Sequence, residues 1–282
     1  MKDRLAEIAG QDVRQLRSVS GGCIADSAIA EFADGRRLFV KRANRCPEMF
    51  VCEANGLREL AKAKALRTPQ VIHAEPGLLL LECIESRNPP AGFMARFGAK
   101  FAEMHRFQAA HFGFYEDNYI GATPQLNVAE AASDWAGFFY EFRLLPQLRL
   151  AEQHGRASVD LSKGIAYLES RLPQQLAGSE EPPCLLHGDL WSGNFLADAK
   201  GEPVIIDPAV YYGHREADLA MTRLFGGFSS DFYRGYEEAW PLAPEADRRL
   251  PIYQLYHILN HLNLFGGSYL SQSLNLLSRC LR

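Results

Sequence analysis

Residues 187–194 read His-Gly-Asp-Leu-Trp-Ser-Gly-Asn, and an apolar run at 204–206 ends at Asp207 shortly afterwards. Asp189 and Asn194 lie five positions apart, so a carboxylate, an amide and a second carboxylate follow in a fixed order. A surface turn capped by an aspartate would account for Asp189 alone, but not for the joint spacing. Transfer of a phosphoryl group needs a carboxylate that orients the acceptor hydroxyl and oxygen ligands that hold magnesium on the phosphates. The stretch therefore predicts a phosphoryl-transfer site.

The order of these residues also predicts their roles. The catalytic loop of protein kinases has the pattern H-R-D-x-x-x-x-N and is followed by an aspartate on the next strand. By this comparison Asp189 is the base or orienting carboxylate, and Asn194 and Asp207 are magnesium ligands. We expect His187 to orient the loop rather than to act in catalysis. We expect Asp218 to support the loop through hydrogen bonds.

The composition is that of an ordinary globular protein. The chain has 282 residues, of which 47% are hydrophobic and 23% are charged, and this length suggests one large or two moderate domains. A formal net charge of −4 gives no electrostatic reason to expect a nucleic acid partner. The charged N-terminus lacks a signal core, and apolar runs such as 78–81 are too short to cross a membrane. The six cysteines are scattered without a C-x-x-C pair, which favours a reducing, cytoplasmic environment over disulfides or zinc.

The residues before position 85 are typical of a β-rich lobe. The turn signal Ala33-Asp34-Gly35-Arg36 separates two alternating segments and predicts a hairpin. Helical periodicity begins at Pro47, where an early helical proline is tolerated. The predicted elements are, in order, a helix at 4–9, hairpins over about 15–41, a helix from 47 to 63, and strands near 70–74 and 78–82.

This lobe has further features that a nucleotide site needs. Gly21 and Gly22 lie in a glycine-containing loop between the first two strands, where backbone N–H groups would cover the phosphates. Lys41 ends the third strand, from which it would contact the α- and β-phosphates, and Glu53 on the next helix would pair with it. Most lysines at strand ends are simply solvated. This prediction therefore depends on the order of the glycine loop, Lys41 and Glu53 along the chain.

The last strand of the lobe runs into a predicted hinge. Glu82, Cys83 and Ile84 would present backbone groups to adenine, and residues 85–90, with the sequence Glu-Ser-Arg-Asn-Pro-Pro, form the best linker candidate. Beyond the linker the pattern is mainly helical. The predicted helical segments are an aromatic stripe from Phe93 to His105, which we expect to be core, and helices at 135–150, 159–176 and 247–282.

Together these elements predict an α+β, bilobal protein-kinase-like fold. The N-terminal nucleotide-binding lobe would span residues 1–84, and the C-terminal catalytic and substrate lobe would span residues 85–282. The cleft between two lobes is where ligands usually bind, so we expect the nucleotide there.

The chain resembles the fructosamine kinase (ketosamine-3-kinase) family over nearly its whole length. The HGD-x-x-x-x-N core is shared with aminoglycoside and choline kinases. Trp191 and the continuation Asp207-Pro208-Ala209 are much more specific to the fructosamine kinase family. The stretches that carry the resemblance are Gly21-Gly22-Cys23-Ile24, residues 113–114, 118–121, 187–194, 207–209, 212–221, 225–228, 253–256 and 260–261.

The resemblance implies ATP- and Mg²⁺-dependent phosphorylation of the sugar 3-hydroxyl of a ketosamine, which is an amine or protein lysine glycated by a reducing sugar. The phosphorylated adduct then decomposes, so the activity would be a deglycation repair step. Trp191 would either stack on the sugar or pack the loop, and His214 is a weaker candidate for substrate contact. The alternatives are another small-molecule kinase, of the aminoglycoside or choline type, and an inactive ATP-binding scaffold. Retention of Asp189, Asn194 and Asp207 speaks against the scaffold.

Cys23 supports a separate hypothesis. A thiol in a glycine-rich loop near backbone N–H groups and Lys41 would have a lowered pKa and would oxidise readily. Oxidation of Cys23, through a disulfide to a second subunit, would then inhibit the enzyme reversibly. The alternative, a small residue that merely fits the turn, remains open. We therefore expect a monomer or a redox-linked homodimer, with no nucleic acid and no membrane as partner.

Overall fold

The structure is a computed structural model that describes residues 1–19, 26–43, 46–128 and 134–281. Within these ranges a β-rich N-terminal part is followed by a mainly helical C-terminal part, as the sequence predicts. None of the helices in the described ranges is both long enough and apolar enough to span a membrane.

The N-terminal part is an antiparallel sheet with a helix on each face. The strands lie in the order β1-β2-β3-β5-β4, and the predicted turn at 33–36 joins β2 to β3. The predicted helix at 47–63 begins two residues later than expected, because Pro47 and Glu48 form a turn. The elements are α1 (Lys2–Ala9), β1 (Val13–Val19), β2 (Asp26–Phe32), β3 (Arg37–Arg42), α2 (Met49–Lys62), β4 (Val71–Glu75) and β5 (Leu78–Glu82).

The four leucines that begin β5 show why both faces of the sheet are covered. Successive side chains of a strand point to opposite faces. Leu78 and Leu80 accordingly pack with Leu5 of α1, whereas Leu79 and Leu81 pack in a separate cluster with residues of α2. All four leucines are buried, so β5 fixes the position of both helices.

The predicted linker is not a free connection. Ser86 and Arg87 form a short strand, β6 (Ser86–Arg87), which pairs with Asp198 and Ala197 of the C-terminal part. The chain thus enters the second lobe through a hydrogen-bonded strand. The domain boundary between residues 84 and 85 stays a prediction.

The C-terminal part is built around helix α3 (Phe93–His105), whose predicted aromatic stripe is core. Phe97 and Phe101 are fully buried and pack against Phe232 of a later helix. The remaining elements are β7 (Asn118–Ile120), β8 (Thr123–Gln125), α4 (Trp135–Phe139), a π-helical turn (Tyr140–Leu144), α5 (Leu145–Gln153), α6 (Val159–Glu169), α7 (Leu172–Leu176), β9 (Cys184–Leu186), β10 (Phe195–Asp198), β11 (Pro203–Ile205), β12 (Tyr211–Gly213), α8 (Glu216–Leu224), α9 (Ser230–Ala239), α10 (Ala246–Phe265) and α11 (Tyr269–Cys280).

Two short strand pairs carry the predicted site. Strand β9 pairs with β12, and β10 pairs with β11, so the 187–194 loop leaves one pair and enters the other. Three predicted helical segments differ in detail. The segment 135–150 contains the π-helical turn, and the segment 247–282 is divided into α10 and α11 at residues 266–268. The segment 159–176 is interrupted after Glu169. Pro173 explains the interruption, because its ring would clash with the carbonyl of residue 169 in a continuous helix.

Candidate active site

Asp218 holds the start of the 187–194 loop from behind. Its carboxylate accepts hydrogen bonds from the backbone N–H groups of His187 (2.7 Å) and Gly188 (2.8 Å). His105 of α3 approaches the same carboxylate at 3.2 Å. Burial alone would raise the pKa of Asp218, but the hydrogen bonds and the nearby histidines lower it. The expected hydrogen-bonded support of the loop by Asp218 is therefore present.

His187 connects this loop to the segment that carries Asp207. Its imidazole is completely buried, and Nε2 donates to the carbonyl of Ile206 at 2.9 Å. The N–H of Ile206 in turn donates to the carbonyl of Asn194 at 3.0 Å. A buried imidazole with a backbone partner fits the expected orienting role.

Asp189, Asn194 and Asp207 converge in the structure as their spacing predicts. The Asn194 amide donates to the carbonyl of Asp189 at 2.8 Å and lies 3.4 Å from both the Asp189 carboxylate and the Asp207 carbonyl. Asp207 has a φ of +55°, in the left-handed region that a residue other than glycine rarely adopts. Such strain persists only where the surrounding structure enforces it, and it is common at functional sites.

The electrostatics of this cluster favour a bound cation. Burial raises the pKa of Asp189 well above its ordinary value, and the carboxylates of Asp207 and Asp218 raise it further. One amide and one carboxylate are a donor set that fits magnesium, which usually takes one or two protein ligands and completes its shell with phosphate oxygens and water. The described ranges contain no cluster of three or more His, Cys, Asp or Glu that could hold a metal ion. Asn194 and Asp207 thus fit a metal that binds together with a nucleotide.

Lys41 and Glu53 form the expected ion pair. The ammonium of Lys41 lies 2.8 and 2.7 Å from the two carboxylate oxygens of Glu53, and both side chains are buried. Lys41 also lies 3.1 Å from Asp207, which joins the two lobes through charge. Burial alone would lower the pKa of Lys41, but Asp207 and Glu53 together raise it above its ordinary value. The lysine is therefore charged and directed toward the convergent carboxylates.

The predicted hinge residues divide into two kinds. The N–H of Glu82 donates to the carbonyl of Gln70 at 2.8 Å, and its side chain pairs with Arg67. Cys83 and Ile84 follow the end of β5 and are half-buried. Of the three, only Glu82 belongs to a strand, whereas Cys83 and Ile84 lie where the chain leaves the sheet.

Trp191 lies over its own loop and remains 40% exposed. A Cβ atom at Gly193 would lie 2.4 Å from the indole ring, so the ring requires glycine at that position. One face of the indole thus packs on the loop while the side chain stays accessible. Packing and stacking on a sugar both remain open for this residue.

His214 is a correction to the predicted site. Its side chain is only 2% exposed, and Nε2 donates to the backbone carbonyl of Ser179. The imidazole also stacks with the rings of Trp135 and Tyr253. These contacts give the side chain no route to a substrate, so we assign it to the packing of the C-terminal lobe.

Three other predicted residues, Gly21, Gly22 and Cys23, lie outside the described residues.

Sequence reasoning missed that His105 is a hydrogen-bond partner of Asp218, because it treated His105 only as part of a core stripe. A single histidine in an apolar stripe was the available signal, because a buried imidazole needs hydrogen-bond partners. It has two here, Asp218 and the hydroxyl of Tyr236 at 2.7 Å.

Comparisons with known proteins agree with this geometry. Residues 1–282 match the family model described as fructosamine kinase. The chain is 41% identical to a ketoamine kinase candidate from Synechocystis sp., with 99% of this chain and 95% of the relative covered. It is 40% identical to the chloroplastic protein-ribulosamine 3-kinase of Oryza sativa subsp. japonica, with 99% and 82% covered.

Solved structures give the same result for the fold. A crystal structure of a fructosamine-3-kinase candidate from Thermobifida fusca has a TM-score of 0.91 and 35% sequence identity, and covers 100% of this chain and 98% of that one. A streptomycin–ATP complex of an aminoglycoside phosphotransferase has a TM-score of 0.64 and 14% identity, and covers 98% of this chain and 94% of that one. The second likeness concerns the fold alone. The predicted bilobal, α+β kinase-like fold is confirmed.

Proposed function

The chain belongs to the fructosamine kinase family, and on this premise we propose that it phosphorylates the sugar 3-hydroxyl of ketosamines with ATP. The phosphorylated adduct decomposes to release the amine, so the reaction is a deglycation repair step. One observation carries the proposal. Asp189, Asn194, Asp207 and Lys41 converge on one site in a chain about 40% identical to proteins named for this activity.

The geometry supports a specific division of labour. Asp189 accepts the proton of the acceptor hydroxyl as its oxygen attacks the γ-phosphorus and the bond from that phosphorus to the ADP oxygen breaks. Lys41, held by Glu53, binds the α- and β-phosphates. Asn194 and Asp207 would hold magnesium, which supplies positive charge against the charge on the transferred group. Cys83 and Ile84 would bind adenine through their backbone groups, next to Glu82.

The alternative kinases differ in the acceptor, not in this machinery. Aminoglycoside phosphotransferases share the fold with this chain at 14% identity, whereas the relatives at about 40% carry the names of ketoamine and ribulosamine kinases. An inactive scaffold is disfavoured, because Asp189, Asn194 and Asp207 are all present and close together. Ketosamines are therefore the acceptors that we propose.

Measurement of ADP release with a panel of acceptors tests the proposal. The panel comprises the ribulosamine, erythrulosamine and fructosamine derivatives of lysine, the same ketosamines on a protein, choline and an aminoglycoside. We expect turnover only with the ketosamines, and the ratios among them will identify the preferred sugar and show whether free or protein-bound adducts react faster. Equal or greater turnover with choline or the aminoglycoside would contradict the proposal.

We also propose that the protein works in a reducing, cytoplasmic compartment. Support comes from the cysteines within the described residues, all of which are free: Cys46, Cys52, Cys83, Cys184 and Cys280. Regulation through a Cys23 disulfide, and hence a redox-linked homodimer instead of a monomer, stays a prediction. Non-reducing electrophoresis with activity assays before and after peroxide would test it. Wild-type protein whose activity is unchanged by peroxide would refute it.

A further inference from the structure

The β7–β8 hairpin inserts two buried amide side chains beside the Asp207 segment. Asn118 is 5% exposed and Gln125 is 2% exposed. The roles proposed above use neither residue. Buried amides need hydrogen-bond partners, and the partners of these two lie next to the proposed magnesium ligand.

The two amides hold the backbone just after Asp207. The amide nitrogen of Asn118 donates to the carbonyl of Val210 at 2.7 Å. The amide nitrogen of Gln125 donates to the carbonyl of Ala209 at 3.1 Å and to the side-chain oxygen of Asn118 at 2.8 Å. Both acceptor carbonyls thus belong to residues two and three positions after the left-handed Asp207.

A tyrosine of α10 fixes the far end of this arrangement. The hydroxyl of Tyr256 donates to the side-chain oxygen of Gln125 at 2.6 Å, and Tyr256 is buried. The amide of Gln125 is therefore orientated from both of its ends. Reversal of the amide would place like groups against each other, so this chain of hydrogen bonds has one satisfied arrangement.

The same backbone segment is also fixed from the catalytic loop and from α2. The N–H of Ala209 donates to the carbonyl of His187 at 2.8 Å. Val210 packs against Gly56 of α2, where a Cβ atom would lie 3.1 Å from the valine side chain. On its other side the hairpin packs Tyr119 against the cluster of α2 that includes Phe50. The hairpin thus lies between α2, which carries Glu53, and the segment that carries Asp207.

We propose that Asn118 and Gln125 are positioning residues that hold Asp207 in its metal-binding orientation. This inference rests on the proposed function, because it assigns Asp207 to magnesium. It predicts that loss of the Gln125 amide weakens the contribution of magnesium to ATP binding. It also predicts that ATP binding without magnesium, which depends on Lys41 and the hinge, changes little.

The test is calorimetric titration of ATP into Gln125→Met in magnesium and, separately, in EDTA. Methionine keeps the length of the side chain but removes its donor and acceptor. We expect the magnesium-dependent gain in ATP affinity to fall by about fivefold or more, as for the loss of a buried hydrogen bond, and the affinity in EDTA to stay within about twofold. Gln175→Met is the matched control, because Gln175 ties α7 to the carbonyl of Cys280. This control should keep the full gain.

The outcomes separate this inference from the proposed function. A gain in Gln125→Met equal to that of the wild type overturns the positioning role. If thermal melting shows that this variant does not fold, Tyr256→Phe removes only the outermost hydroxyl and should reduce the gain by about twofold. An undiminished gain in Tyr256→Phe would then overturn the inference. A wild type that binds no ATP in either buffer refutes the proposed function itself.

Discussion

Two groups of polar side chains lie on opposite sides of the catalytic loop, and they shift the pKa of an aspartate in opposite directions. In the front cluster, Asp189, Asn194, Asp207 and Lys41, burial and then the neighbouring carboxylates raise the pKa of Asp189. In the rear cluster, His105, Asp218 and Tyr236, every charge has a hydrogen-bond partner, which lowers the pKa of Asp218. Substitutions in the front cluster should therefore mainly lower activity, and substitutions in the rear cluster should mainly lower the free energy of unfolding.

Asp189→Asn gives the sharpest contrast between activity and stability. Removal of the proposed base should lower kcat by about 10²–10⁴-fold, the usual contribution of general acid–base catalysis. Because it also removes a carboxylate that is repelled by Asp207 and Asp218, the melting temperature should stay the same or rise. ADP-release kinetics and thermal denaturation measure the two effects. Turnover like that of the wild type would remove Asp189 from the proposed mechanism.

Asp218→Asn should have the reverse pattern. The variant loses a buried charge that accepts two backbone N–H groups and contacts His105, so the free energy of unfolding should fall by about 2–4 kcal/mol. Urea denaturation measures this fall. The control is Asp231→Asn, since Asp231 pairs with Arg234 on the exposed face of α9 and should contribute less than about 1 kcal/mol. Equal effects of the two variants would contradict the assigned role of the rear cluster.

Buried histidines behind the site should make the fold sensitive to acid. Burial lowers the pKa of His257 to about 3, so the unfolded chain binds a proton below pH 6.5 that the folded protein does not bind. From this group alone, the free energy of unfolding should fall by about 2 kcal/mol between pH 8 and pH 5.

The variant His257→Gln isolates this contribution. Urea denaturation at a series of pH values should show a shallower loss of stability toward acid than in the wild type. His154→Gln, at an exposed position of the same lobe, should leave the slope unchanged. Identical slopes for His257→Gln and the wild type would mean that His257 does not remain neutral in the fold.

The ion pair of the N-terminal lobe should have the smallest effect. In Glu53→Gln, Lys41 keeps only Asp207 as a charged partner at 3.1 Å and should turn away from the phosphates. The KM for ATP should rise by about tenfold, the cost of one charged hydrogen bond, and the KM for the ketosamine should change little. Glu48→Gln, at an exposed position just before α2, is the control. A larger change in the ketosamine KM than in the ATP KM would contradict the assignment.

Most of the front cluster could be predicted from the sequence, because Asp189, Asn194 and Asp207 lie close together along the chain and in a fixed order. The spacing of Asp189 and Asn194, and the strand before Asp207, already contain the geometry. The ion pair of Lys41 and Glu53 followed from one strand and one helix, both with clear periodicity. The apolar pattern of both elements is visible in a single sequence.

Except for Asp218, the supporting residues could not be predicted in the same way. Helix α8 buries every residue from Glu216 to Thr222, so it has no amphipathic stripe to identify it. Strands β7 and β8 have three residues each, too few to show an alternating pattern. The backbone carbonyls that Asn118 and Gln125 bind lie more than eighty positions away, and only the folded chain brings them together.

The pairing of β6 with β10 has a consequence for protein engineering. Residues 85–90 look like the natural place to insert a reporter domain or to split the chain into complementing fragments. An insertion there would pull a strand from the small sheet of β6, β10 and β11, and that sheet ends two residues before Asp207. The exposed turn at residues 33–36 offers a better insertion point, because it joins two strands that are already paired to each other.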